Sequence, residues 1–153
     1  MFAGKQIDYS DSTITNDGFW PDVVVAHFEQ ARATPAELDA QTIQAALLAA
    51  VEEINLQLEQ AKHAFQAKGY QCAGDVPGPS IKDGHNAVSA QYLAAVFARA
   101  KAALIPEFAS VTERATANNQ AERAPSLYAQ LLAESQQLVR SIKGKRRASA
   151  ALI

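Results

Sequence analysis

Apolar residues recur at Ile43, Leu47, Ala50, Ile54, Leu58, Ala61 and Phe65, in steps of four and three that draw one stripe down a single long helix. Glu52, Glu53, Gln57, Glu59, Gln60 and Lys62 fill the other faces, so the helix must lay one side on a core and leave the rest in water. Its start is marked by Thr34-Pro35-Ala36-Glu37, a capping box with proline at the first helical position. Gly69 supplies a left-handed stop. A chain built on this element is expected to be a helical bundle.

The flanking segments fit that expectation. Residues 1–18 show no helical stripe and close on the turn-forming Asn16, Asp17 and Gly18, and are expected to form an arm that is loose alone or ordered by a partner. Phe19 and Trp20 precede Pro21, which can open a short leading helix bearing Val24, Val25 and Phe28 and ending near Arg32. The aromatic pair has two readings, core packing or a partner-binding anchor, and core packing is the commoner fate of such a tryptophan. Three glycines and two prolines from Tyr70 to Gly84 predict a structured loop.

From Asn86 a third helix places Val88, Tyr92, Ala95, Val96, Arg99 and Ala103 on one face and Leu93, Phe97 and Leu104 on a second, until Pro106. A helix apolar on two sides is central or shared between subunits, which makes Leu93 and Phe97, with Phe19 and Trp20, candidate packing or inter-subunit anchors. Glu107 to Ala124 is polar and ambiguous. A last helix is expected from about Pro125 to Gly144, its inner stripe being Leu127, Leu131, Ser135, Leu138 and Ile142. About a fifth of the 153 residues are alanine, which combines high helix propensity with close helix approach. The fold class expected is all-α: three main helices and a short leading one in a domain over 19–143, with extended arms at 1–18 and 144–153.

Few chemistries survive inspection. Cys72 is the single cysteine, which excludes an internal disulfide framework and cysteine-rich zinc spacing. A di-iron bundle needs Glu-x-x-His on two helices, whereas Glu59 and His63 are four apart and have no second copy. His27 and His85 have no nearby pair of ligands. No Gly-x-Ser-x-Gly elbow and no phosphate-binding glycine loop occurs. The expectation is a protein without catalytic residues, metal or cofactor. No run approaches the roughly 18 apolar residues of a membrane span, and Met1 to Asp11 lacks the apolar core of a secretory signal, so a cytosolic product without membrane contact is expected.

Charge singles out the C-terminus. The formal charge of −2 conceals an uneven division: five of the fourteen Lys and Arg, namely Arg140, Lys143, Lys145, Arg146 and Arg147, lie beyond residue 139, where there is no acid. All sixteen acids lie in the body, which would repel phosphate. The basic cluster is open to three readings: a solvated helix end complementing the macrodipole, a DNA contact, or the charged half of a docking peptide. The apolar ending Ala150-Ala151-Leu152-Ile153 favours docking, since terminal Leu and Ile gain most when a partner buries them.

Taken in order, Phe19-Trp20-Pro21-Asp22, the Thr34 to Leu58 helix with Ala50, Glu53 and Asn55, Gly69, Asp75-Val76-Pro77, Asp83-Gly84, and the ending Ile142-x-Gly144, basic cluster and Leu152-Ile153 resemble the phage head completion protein (GPL) family of contractile-tailed phages. The resemblance covers residues 19–153. It implies a head-to-tail connector in the virion neck, assembled in the host cytoplasm as a ring, typically twelvefold, below the portal after DNA packaging. Such a ring continues the channel for packaged DNA and offers a platform to the tail-completion or second neck protein. It further implies that Lys145, Arg146, Arg147, Ser149, Ala150, Ala151, Leu152 and Ile153 grip the portal, while residues contacting DNA stay unassigned. An acidic ring would let DNA slide without sticking, and unsupported arms would order on assembly. The competing reading is a DNA-binding packaging factor, similar to a small terminase subunit, using Lys143 to Arg147 on phosphates. A small metal-dependent enzyme is a third.

Overall fold

The structure, a computed structural model, describes residues 11–35, 37–112 and 117–145, with side chains left aside at 109–112 and 117–124. Two strands of two residues, β1 (Thr13–Ile14) and β2 (Val23–Val24), pair antiparallel. Five helices follow: α1 (Val25–Arg32), α2 (Ala40–Gln57), α3 (Glu59–Ala67), α4 (Ala87–Thr112) and α5 (Ala117–Ile142). A single 3₁₀ turn, Ala73–Asp75, lies in the loop between α3 and α4. The expected small helical bundle is the architecture, with the strand pair as its one addition among the described residues.

α4 is the central element. Tyr92 and Val96 enter the main core with Ile43, Leu47, Ile54 and Leu58 of α2 and α3's approach, Phe28 of α1, and Val139 and Ile142 of α5. Ala98, Ala102 and Ile105 meet Leu131 of α5 in a second cluster. The two-sided apolarity of α4 is therefore absorbed within one chain, by α2 on one side and α5 on the other. By length and composition α4 is the one described helix apolar enough to cross a membrane, yet more than half of its apolar stretch is buried inside the fold. Small residues permit the close α4–α5 approach: Ser135 is fully buried and its Oγ donates to the Ala95 carbonyl at 2.9 Å.

Local expectations hold at the glycine stops and shift at the start of α2. Gly69 takes φ 96°, and Tyr70 N–H reaches back to the Phe65 carbonyl at 3.2 Å, a Schellman-type close. α2 begins at Ala40 with Asp39 as its N-cap, not at Pro35. Thr34 is already engaged in ending α1, because Ala33 turns left-handed at φ 49° and Thr34 N–H donates to the Glu29 carbonyl. The long stripe is also divided at Leu58, where φ −101° and ψ 7° separate α2 from α3. The hydrogen-bond ladder bridges the irregularity, from Leu58 N–H to Ile54 and from Lys62 N–H to Leu58, and Leu58 stays fully buried, so the stripe still serves one core.

The prolines also depart from expectation. Pro21 does not open a helix: Val23 and Val24, β-branched and suited to extended backbone, pair with β1, and α1 starts only at Val25. Pro106 lies inside α4 and Pro125 inside α5 instead of bounding them. Both prolines are exposed, so their rings sit on the water side of each helix and displace no core contact. Consequently the ambiguous Glu107–Ala124 stretch is helical wherever it is described. Leu127, expected on the inner stripe of α5, is 41% exposed.

Candidate functional site

Asn16 ties the end of the expected arm to the body. Tyr92 Oη donates to Asn55 Oδ1 at 2.6 Å, Asn55 Nδ2 donates to Asn16 Oδ1 at 2.8 Å, and Asn16 Nδ2 donates to Tyr92 Oη at 2.8 Å, closing a three-member ring of donors. Burial pushes the Tyr92 hydroxyl far above its ordinary range, so it stays a neutral donor. Next to it, Asp17 Oδ1 accepts from the Trp20 and Phe19 amides at 2.9 and 3.0 Å, and Asp17 Oδ2 from Lys62 Nζ at 2.9 Å. Partial burial works to raise the Asp17 pKa, but the Trp20 amide, the Lys62 bond and the Phe19 amide outweigh it and hold it below the usual value. Residues 11–18, expected as an arm that a partner orders, are thus bound to their own chain. Residues 1–10 lie outside the described residues.

These contacts set the aromatic pair. Trp20 stacks on Tyr92 with centroids 4.9 Å apart and planes 4° from parallel, and Phe19 stacks on Phe65 at 6.2 Å. Phe97 meets Phe28 edge-on at 5.5 Å. Phe19, Trp20 and Phe97 are buried, and Leu93 packs partly buried against the same core. All four candidate anchors therefore sit in the packing of this one chain. Trp20 Nε1 is buried without a hydrogen-bond partner among the described residues.

The root of the tail is firmly held. Val139 and Ile142 are buried, and α5 ends at Ile142, after which Gly144 adopts φ 74° and Lys145 N–H caps the Arg140 carbonyl at 2.9 Å. An open cleft of about 500 Å³ beside this end is lined by Gln91, Ala94, Glu134, Leu138, Ser141 and Lys145. On its rim Arg32 grips Glu134 through both guanidinium nitrogens, at 2.7 and 3.2 Å. Lys145 is exposed; Arg146, Arg147, Ser149, Ala150, Ala151, Leu152 and Ile153 lie outside the described residues.

Among the described residues, the most exposed large apolar side chains lie in two places. A groove of about 710 Å³ runs between Ile14–Asp17 and the outer side of α2 and α3, and in it Leu48 is 55% and Leu56 67% exposed, with Glu52 and Glu59 alongside. In the loop before α4, Ile81 is 70% exposed. Sequence reasoning missed all three residues. A signal existed for Leu48 and Leu56, which fall outside the inner stripe of their helix; Ile81 offered only its isolation among polar and turn-forming neighbours.

Reactive groups are scattered. His27, His63 and His85 are exposed, and among the described residues no group of three His, Cys, Asp or Glu side chains is placed to hold a metal ion. Cys72 caps the 3₁₀ turn, its side chain meeting the Asp75 amide while the Asp75 carboxylate receives the Cys72 amide. The comparisons with known proteins decide the family. The model of the phage head completion protein (GPL) family matches residues 14–153. The chain belongs to this family. A curated relative, the probable head completion/stabilization protein of Haemophilus phage HP1 (strain HP1c1), is 36% identical over 153 residues, the whole of both chains. No solved structure matches.

Membership in the GPL family makes the chain a structural, virion-associated protein with a role in phage head completion, and the family is not a known enzyme family. Such a role requires contact with other head or tail proteins. The features that bear on a head completion protein are accordingly surfaces, namely the groove, the Ile81 loop and the root of the tail.

Proposed function

We propose that this head completion protein assembles after DNA packaging as a ring below the portal, in the neck of the virion, and docks on the portal through its C-terminal tail. The ring continues the channel for DNA and offers its opposite face to the tail-completion or second neck protein. The observation that carries the reading is the fixed root of the tail: α5 is held by Val139 and Ile142 up to its last turn, and Gly144 then closes the helix before exposed Lys145. Beyond that point come Arg146 and Arg147 and then the apolar Ala150–Ile153. A short basic and apolar peptide leaving a rigid base loses little more than its own freedom when a partner binds it. The acidic body, repeated around an axis, repels the DNA that must slide past.

Deleting Ser149 to Ile153 tests the reading. The truncated protein should keep its helical circular dichroism and its melting temperature, because the core ends at Ile142, and should fail to join to filled heads. Normal joining by the truncated protein overturns it. If the tail instead contacted DNA, duplex binding would fall steeply with salt, with a slope near the number of phosphates neutralised. Salt-insensitive, weak binding is the outcome expected here.

A further inference from the structure

The Ile81 loop is built to hold its isoleucine out. Ile81 N–H donates to the His85 carbonyl at 3.1 Å, Gly84 N–H to the Ile81 carbonyl at 2.9 Å, and Ala87 N–H to the Pro79 carbonyl at 2.7 Å, while Ser80 and Asn86 bridge antiparallel. Asn86, buried, fastens the base by donating to the Ala73 and Val76 carbonyls at 2.7 and 2.9 Å. Asp83 completes the turn at φ 58°. Gly84 lies close beneath the side chain: a Cβ there would be 3.2 Å from both Cβ and Cγ2 of Ile81, which would have to shift by a few tenths of an ångström. An apolar side chain so exposed on so fixed a loop is a preorganised knob.

The groove on α2 is its physical complement. Leu48 and Leu56 give it an apolar floor, and Glu52 and Glu59 make no ion pair among the described residues. The knob carries Lys82 beside Ile81 and His85 across the turn, with Asp83 as its one acid. The two features also lie on separate elements, each turned away from buried residues of its own helix. At 100° per residue, Ala90 and Ala87, which floor the recess under Ile81, lie about 160° and 140° round α4 from Tyr92, the residue that meets Asn55 of α2. Glu52 and Leu56 each lie about 160° round α2 from buried Ile54. Different, complementary patches of one subunit make a head-to-tail contact, which generates rings when the rotation closes.

We propose that the Ile81 loop of one copy inserts into the Leu48–Leu56 groove of the next, with Lys82 against Glu52 and Glu59. This rests on the ring reading and names its subunit contact. The test is disulfide trapping in virions assembled with the full chain carrying Cys72→Ser, Ile81→Cys and Leu56→Cys. Serine can keep the cap of the 3₁₀ turn, and two cysteines bridge only when their Cα atoms come within about 7 Å. Mild oxidation should give a ladder of covalent multimers, and the control pair Ile81→Cys with Leu127→Cys should not. Several copies per particle without a ladder overturn the contact and leave the ring standing, as does an equal ladder from the control. One copy per particle overturns both. A charge exchange gives a readout that does not depend on engineered cysteines: Glu52→Lys with Glu59→Lys should lower the yield of tailed particles at least tenfold, and adding Lys82→Glu should restore most of it. No recovery refutes the pairing.

Discussion

Tyr92→Phe removes one oxygen from the structure and leaves the ring, its stack on Trp20 and its fully buried position untouched. Asn55 Oδ1 loses the 2.6 Å donor, and Asn16 Nδ2 loses an acceptor but keeps the Pro21 carbonyl at 3.0 Å. An orphaned buried acceptor costs about 1–3 kcal/mol, and the second, partly replaced bond adds about 0.5 kcal/mol. Asn16 and Asn55 are only part-buried, so water recovers some of this, and the expected loss is about 2 kcal/mol. For a chain of this size that lowers the melting temperature by about 4–8 °C. Urea unfolding followed by circular dichroism should show the midpoint falling at constant slope. Because the three side chains form one closed ring, Asn16→Ala and Tyr92→Phe should be coupled by about 1 kcal/mol in a double-mutant cycle. The folded pKa of Tyr92 is raised, so its contribution is complete below about pH 10 and is lost as the unfolded chain ionises above it; wild type should lose stability faster than the Phe variant there. A loss under about 0.5 kcal/mol, or strict additivity, would refute the claim that this ring fastens Asn16 to the body.

Asp17→Asn should destabilise the protein by about 1 kcal/mol at pH 7, since three donors serve the carboxylate. Its folded pKa is lowered, so the contribution is present above about pH 4 and lost as pH falls through the folded value; unfolding at pH 7 and pH 3 should show the difference between variant and wild type shrinking. Leu47→Ala and Leu48→Ala, adjacent on α2, should diverge. The first opens a cavity at a fully buried site and costs about 3 kcal/mol, while the second, at a 55% exposed site, stays within about 0.5 kcal/mol by urea unfolding and shows its effect only in assembly.

Much of the fold was legible because it is written in neighbouring residues. The stripe from Ile43 to Phe65, the glycine stop at Gly69 and the turn at Gly144 depend on periods of three or four residues or on one backbone angle, and these are properties of the sequence itself. The abrupt change to a basic, acid-free terminus is likewise a matter of counting, and the order of short motifs from Phe19 to Ile153 was enough to reach the family.

What tertiary structure decided lies in contacts between distant residues. Asn16 and Tyr92 are 76 residues apart and Arg32 and Glu134 are 102 apart, and no local period links them. The pairing of Thr13–Ile14 with Val23–Val24 turned an apparent arm into part of the body and delayed α1 past its proline. Pro106 and Pro125, strong helix breakers by local rule, are carried inside helices because α4 and α5 bury Ile105 and Leu131 against each other and leave the proline faces to water. The exposure of Leu48, Leu56 and Ile81 is decided in the same way. Sequence determines that a leucine is apolar and where it stands on its helix; only the packing of every other element determines whether anything remains to cover it.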